Sequence, residues 1–271
     1  IGTASQHRLM NEDRDISRIS VIKLGGAVAD DPHARAEALR TVASFSRPCI
    51  VVHGGGSMAS ELSAKLGIET RMHDGRRITD AETLRVVTMV YAGLVNTTMV
   101  AELQALGCRA MGMRGCDDDI IRARRRSPEP VDFGFVGDID HVRGDLLMDL
   151  LRKGITPVIA PITHDGKGQL LNTNADTVAA RIAQACAEHG EVEVVYCFAH
   201  EGVLGDMTRS DSVIPRLTVE ELDIFLRGGS AGGGMIAKLE NARSLAVKGV
   251  DVRICSYRDF TGGTRIVGDR A

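Results

Sequence analysis

Residues 19–26 read ISVIKLGG, and residues 49–56 read CIVVHGGG. Each stretch is a run of β-branched and apolar residues, too continuous to alternate between core and solvent, that ends on a polar residue and then glycines. A strand apolar on both faces belongs inside a parallel sheet covered by helices on both sides. Working outward, the same unit recurs. Helical patterns occupy 32–45 and 57–66, and Thr79-Asp80-Ala81-Glu82 has the form of a capping box opening a long helix toward Leu106. Further strand-like runs at 108–113, 156–162, 193–198 and 252–256 alternate with helical patterns at 145–153, 175–188, 218–226 and 235–248. The expected fold class is α/β, with an open, mainly parallel sheet sandwiched between helices. In such sheets ligands gather beyond the carboxyl ends of the strands, which puts both glycine turns and the loop before Ala175 on one rim.

The chain's 271 residues suit one large α/β domain, expected over 17–271, after a polar and mobile tail at 1–16. With no Trp, three Tyr and six Phe, it has few rings on which single-stranded nucleic acid could stack. A net charge of −3 gives no general pull on phosphate backbones, so no nucleic-acid partner is expected. The basic run from Arg122 to Arg126 reads as a solvated loop face. Six cysteines show no CxxC pair or zinc spacing, and Cys49 and Cys197 sit inside apolar runs. Reduced thiols and a cytoplasmic setting follow. No apolar run approaches the 18 residues of a membrane span.

Four clusters carry chemistry. Lys23 closes the first strand beside Gly25 and Gly26, where backbone amides can approach a polyanion and the lysine adds a point charge. The glycines after His53 repeat the geometry ahead of a helix, with the helix dipole behind them. A third glycine cluster, Gly228 to Gly234, runs into Lys238, placed here in the first turn of a helix from 235, where a cation is unfavourable unless it meets an anion. The fourth is NTNAD (172–176), whose polar side chains crowd a helix entry. Each alone has a plain structural reading: a strand-end lysine, a flexible linker, or an N-cap at Asn174. Neither GxxxxGK(S/T) nor a GxGxxG in the first βα unit is present, so P-loop and dinucleotide-binding readings are disfavoured.

Taken in order, KLGG (23–26), HGGG (53–56), GRRITDAET (75–83), NTNAD (172–176) and GGMIAKLE (233–240) resemble the N-acetylglutamate kinases of the amino-acid kinase family, over essentially 18–268. The resemblance implies phosphorylation of the side-chain carboxylate of an N-acylglutamate by ATP with Mg²⁺, in arginine biosynthesis. It implies Lys23, Lys238 and Asp176 as catalytic, and Gly25, Gly26, Gly202 and Gly233 at the nucleotide. It further implies Gly55, Gly56, Arg77, Asn172 and Asn174 at the substrate, with no dedicated protein metal ligands. The part at about 17–165 would bind acylglutamate and dimerise, and the part at about 166–271 would bind the nucleotide. A homodimer is the implied assembly, without arginine feedback, because the tail is short and polar.

Two departures from the family pattern bear on the site. Where the family has a Thr/Ser-Asp-Val-x-Gly stretch, 197–204 reads CFAHEGVL, which leaves only Gly202 to carry over and makes His200 a solvent-facing loop residue. Before the substrate arginine stands Arg76, where an apolar residue is usual. Arg76 suits a second carboxylate on the acyl group, as in N-succinylglutamate, or simply solvent. The competing expectations are another small-molecule kinase of the fold and a non-catalytic ligand sensor on the same scaffold.

Overall fold

The computed structural model describes residues 16–198, 201–206, 208–209, 211–228 and 233–268, with the backbone alone at 233–237. The two quoted stretches form β1 (Arg18–Leu24) and β2 (Cys49–His53), paired in parallel with Lys23 level with Val52 and Leu24 level with His53. Six more strands extend them: β5 (Ala110–Met113), β8 (Thr156–Ile159), β11 (Glu191–Phe198), β12 (Arg216–Thr218), β13 (Asp251–Ser256) and β14 (Thr264–Val267). Their order is β12-β14-β13-β11-β1-β2-β8-β5, and only the β13–β14 pair is antiparallel. The doubly apolar strands therefore sit at the centre, as expected of an open mainly parallel sheet.

Successive residues of the central strands feed two cores. Ile19 and Val21 of β1, with Ile50 and Val52 of β2, meet α5 (Gly144–Arg152), α6 (Ala175–Cys186) and α8 (Gly233–Ala246). Ile22 and Leu24, with Val51, meet α1 (Gly26–Asp30), α2 (Pro32–Ser44) and the long α4 (Ala81–Ala105). The remaining helices are α3 (Gly56–Lys65), directly after β2, and α7 (Val219–Arg227). Helix α7 is closed by a full capping box between Thr218 and Glu221. Helix α4 is long and apolar enough to cross a bilayer, yet its inner side is sheet core and 44% of its apolar window is buried. Its middle turns, Thr88–Val95, are π-helical.

Several sequence expectations need correction. The basic run is no loop: Ile121–Arg125 is strand β6, with Ile121 and Ala123 buried and the arginines facing outward. Those arginines meet carboxylates, Arg122 with Asp119, Arg124 with Asp140, and Arg125 with Asp132. Strand β6 pairs with β7 (Gly137–Val142) and β9 (Ile162–His164), and β9 pairs with β10 (Leu170–Asn172), making a second, four-stranded sheet. The run at 156–162 splits because Pro161, lacking an N–H, ends one sheet before Ile162 enters the other. Thr79 is not the cap of α4. Asp80 is, accepting from the Thr83 amide at 2.9 Å, while the Thr79 hydroxyl donates to the Arg77 carbonyl. Ile16, placed in the expected tail, is 8% exposed and belongs to the core; residues 1–15, the rest of that tail, lie outside the described residues.

Glu193, 2% exposed in β11, ties three elements together. It accepts from Arg47 at 2.7 Å and from Arg253 at 3.1 Å. Removing one partner of a buried ion pair strands the rest, so Glu193→Ala should cost about 3 kcal/mol. Urea unfolding followed by circular dichroism measures it, and an unchanged midpoint would contradict this role.

Candidate active site

Three chain segments meet at the carboxyl rim of β1 and β2. Lys23 lies on the same side of β1 as Ile19 and Val21, facing the start of α6, and is 6% exposed. Its Nζ lies 2.7 Å from Oδ1 of Asp176, in the first turn of α6, as an ion contact rather than an aligned hydrogen bond. Asp176 stands there because Asn174 caps the helix, accepting from the Thr177 amide at 3.0 Å. The cap reading of Asn174 is therefore correct, and Asn174 also lines the cleft described below. A carboxylate in the first turn of a helix is favoured by the helix dipole.

Lys238 approaches from α8. That helix begins at Gly233, so Lys238 sits in the second turn rather than the first, and the dipole argument for its placement loses force. Its ammonium lies 4.6 Å from the Phe198 ring centroid. Burial lowers the Lys238 pKa first and the Lys23 charge lowers it further, while Asp176 opposes both. Two cations close enough to repel, with one carboxylate acting on both, form a site ready for a polyanion.

Two clefts meet here, and Gly26 lines both. The first, about 310 Å³, is bounded by Gly55, Gly56, Arg76, Arg77, Asn172 and Asn174, all named from the sequence. Arg77, 8% exposed, is locked in place: Nη2 donates to the Gly56 carbonyl and to Ser60 Oγ, each at 2.9 Å, and Nη1 donates to Thr70 Oγ1 at 3.3 Å. A guanidinium so held keeps further N–H donors for a ligand carboxylate. Asn172 donates to the buried Thr79 Oγ1 at 3.0 Å, which ties the end of β10 to the segment that leads into α4. Arg76 stands on the hairpin of β3 (Met72–His73) and β4 (Arg76–Arg77), exposed at the cleft wall, and among the described residues it has no carboxylate partner.

The second cleft, about 500 Å³, is lined by Lys23, Gly25, Gly26, Phe198 and Lys238, and reaches Tyr257 and Arg258. Gly202 is not among its lining residues. It packs instead against Thr264 and Val213, where a Cβ would come within 2.8 Å of the Thr264 hydroxyl. Gly233 opens α8; His200 and residues 229–232 of the glycine-rich stretch lie outside the described residues. Among the described residues no group of three or more His, Cys, Asp or Glu converges on a metal-sized site.

Sequence reasoning missed two contributors. Arg126 lines the first cleft, held by Asp138 at 2.6 Å and stacked over Phe133. Its signal was the end of the basic run, masked by the exposed arginines before it. Tyr91 lines the cleft from the π-helical part of α4 and had no signal in sequence periodicity. Burial raises its phenol pKa, against the pull of neighbouring Arg77.

Residues 18–256 match the amino acid kinase family. The chain is 47% identical over 252 residues to the acetylglutamate kinase of Bacteroides thetaiotaomicron, covering 92% of this chain and 98% of that protein. It is 44% identical to the acetylglutamate kinase of Cytophaga hutchinsonii, over 94% of this chain and 100% of the other. Among solved structures, smu.665 from Streptococcus mutans superposes with a TM-score of 0.76 at 23% identity, covering 92% of this chain and 98% of that one, which supports the fold.

Because burial and the Lys23 charge hold the Lys238 ammonium below its ordinary pKa, its charge is lost at a lower pH than that of an ordinary lysine. The expected pH profile of kcat/KM therefore has an alkaline limb earlier than a normal lysine would give. Lys238→Arg should move that limb to higher pH, and a limb that does not move would clear Lys238 of the effect.

Proposed function

Because the chain belongs to the amino acid kinase family and matches its acetylglutamate kinases over nearly its whole length, we infer that it moves the γ-phosphoryl group of ATP onto the side-chain carboxylate of N-acetyl-L-glutamate, making the acyl phosphate of arginine biosynthesis. The observation that carries this reading is the Lys23–Asp176 contact with Lys238 beside it, at the junction of a carboxylate-binding cleft and a second cleft.

Phosphoryl transfer asks a protein for positioning and charge neutralisation more than for covalent chemistry. In our reading the acylglutamate enters the first cleft with its α-carboxylate on Arg77 and its amide groups near Asn172 and Asn174. Its side-chain carboxylate then points at the glycine turns. The acceptor is already ionised at neutral pH, so no general base is required. ATP enters the second cleft, and its phosphates lie against Gly25 and Gly26. Lys23 and Lys238 neutralise charge on the moving group from two sides, and Asp176 holds Lys23 in line. Magnesium would arrive with the nucleotide and supply charge neutralisation there, since the described residues bring no carboxylate cage to the site. In this reading the part at about 17–165 supplies most of the acylglutamate cleft, with Asn172 and Asn174 added from the second part. The nucleotide cleft is shared, with Lys23, Gly25 and Gly26 from the first part and Phe198, Lys238, Tyr257 and Arg258 from the part at about 166–271. Gly202 and Gly233 serve the nucleotide indirectly, by shaping the segments around it. The lack of a disulfide among the described residues and the use of ATP favour a cytoplasmic setting.

A specific observation favours one refinement. Arg76 is a cation on the cleft wall with no described carboxylate partner, so it is available to an N-acyl group that carries a second carboxylate, such as N-succinyl. A homodimer is also supported. Met89 and Leu94 on α4 are 53% and 55% exposed, Met111 is 41% exposed on β5, and β5 is the free edge of the main sheet. An apolar helix face beside an open strand edge is a surface that a second copy would cover.

ATP-dependent trapping of the product with hydroxylamine tests the reaction. Wild type should yield the hydroxamate, while Lys23→Met and Asp176→Asn should lose about 10²-fold or more in kcat. Activity retained in both would refute the assigned site. Comparing kcat/KM for N-succinyl- and N-acetylglutamate tests Arg76: Arg76→Leu should lower the value for N-succinylglutamate and leave that for N-acetylglutamate unchanged. A value for N-succinylglutamate that does not fall removes that refinement and leaves the transfer reaction standing. Light scattering should give twice the chain mass, and Leu94→Arg should give one chain; a wild-type monomer would refute the dimer.

A further inference from the structure

His53 and Asn96 lie outside both clefts, yet they hold the backbone that the transfer reading uses. His53 ends β2 and is fully buried. Its Nδ1 is 2.7 Å from the carbonyl of Gly54, and its Nε2 is 3.0 Å from Nδ2 of Asn96. The same Asn96 Nδ2 lies 2.9 Å from the Val158 carbonyl. A carbonyl can only accept, so the Asn96 nitrogen must face it, and that nitrogen's second proton goes to His53 Nε2. Nε2 is therefore the acceptor, the ring proton is on Nδ1, and the ring donates to Gly54. Burial lowers the imidazole pKa to about 4, so the ring stays neutral in this tautomer at physiological pH, although Asp30 pulls the other way.

The Gly54 carbonyl matters because of what surrounds it. A Cβ at Gly54 would sit 3.1 Å from the Gly26 nitrogen, so the two glycine turns touch backbone to backbone. Gly55 has φ 156°, a conformation side chains rarely adopt, and a Cβ there would be 2.9 Å from the Tyr91 ring and 3.3 Å from Val95. Space for Asn96 is also prepared, since a Cβ at Gly112 in β5 would overlap the Asn96 amide oxygen. Tyr91, Val95 and Asn96 all fall in or directly after the π-helical segment. A π turn takes up one extra residue and rotates everything beyond it by about 100° relative to a regular α-helix. Only with that rotation does one helix offer Tyr91 to Arg77 and Gly55, and Asn96 to His53.

We propose that His53 and Asn96 are positioning residues for phosphoryl transfer: they fix the Gly54 carbonyl, and through it the aim of the Gly55 and Gly56 amides, and the π turn of α4 exists to bring Asn96 there. The inference rests on the kinase reading of the site. Its effect belongs to the transition state, where amide donors must meet developing charge, more than to ground-state binding.

Steady-state kinetics with His53→Leu, His53→Asn and Asn96→Leu test it. Leucine at 53 should lower kcat about 30-fold or more while KM for ATP stays within about threefold. Asparagine at 53 keeps an N–H donor at the place of Nδ1, and should recover kcat to within about fivefold of wild type. An unchanged kcat in His53→Leu, or a His53→Asn enzyme as slow as His53→Leu, would overturn the proposal. Nitrogen NMR of histidine-labelled wild type, with His53 assigned from the His53→Asn spectrum, gives a reading independent of activity and of the folding of the leucine variants. It should find Nδ1 protonated, Nε2 bare, and no titration between pH 8 and about pH 5. A proton on Nε2 would overturn the proposal even in an active enzyme. A wild type that forms no hydroxamate but keeps the Nδ1–H tautomer would instead count against the reaction assigned above.

Discussion

The contact between Lys23 and Asp176 joins the end of the first strand to the first turn of α6, and the site is assembled around it. A lysine this buried is tolerated only with a carboxylate beside it. The aspartate in turn is held where it is by the Asn174 cap and the helix dipole. Bringing Lys238 near this pair leaves more positive than negative charge in a partly dry space. That excess is unfavourable in the empty protein and is relieved when phosphates arrive, which is the electrostatic condition for binding a nucleotide and steadying a transferring phosphoryl group.

The second constraint is contact between backbones. The turns after β1 and β2 sit side by side because those strands are parallel neighbours in register, so their glycines meet at one rim. Side chains would keep the turns apart. On one flank α4 closes over Gly55 with Tyr91 and Val95; on the other, Arg77 reaches back to the Gly56 carbonyl. The acceptor cleft is thus built from a strand end, a hairpin and a helix whose π turn sets the necessary rotation.

Much of this was legible because the chemistry lies next to strand ends. Continuous apolar runs point to the parallel sheet, and Lys23, the glycines, Asn172, Asn174 and Asp176 follow such runs or crowd a helix start, whereas Arg77 is marked only by the family resemblance. Other features were hidden for physical reasons. A run of arginines conceals a strand when each charge faces outward to an aspartate, so β6 was read as a loop and Arg126 went unnoticed. Thr79 and Asp80 can each cap a helix, and the choice fell to Asp80 because the buried Thr79 hydroxyl is engaged by the Arg77 carbonyl and Asn172. The π turn breaks the regular helical period, so Tyr91 and Asn96 could not be placed by counting residues. Lys238 was assigned a turn too early because glycines give no signal of where their helix starts.

The most direct measurement follows the oxygen atoms. N-acetylglutamate labelled with ¹⁸O in its side-chain carboxylate, mixed with ATP, magnesium and the enzyme, should give an acyl phosphate whose phosphorus resonance carries the isotope shift of a bridging ¹⁸O. That result would mean the carboxylate itself attacked the γ-phosphorus, and its loss in Lys23→Met would tie the step to the Lys23–Asp176 site. Consumption of ATP with only unlabelled free phosphate, or no ATP consumption at all, would contradict the account.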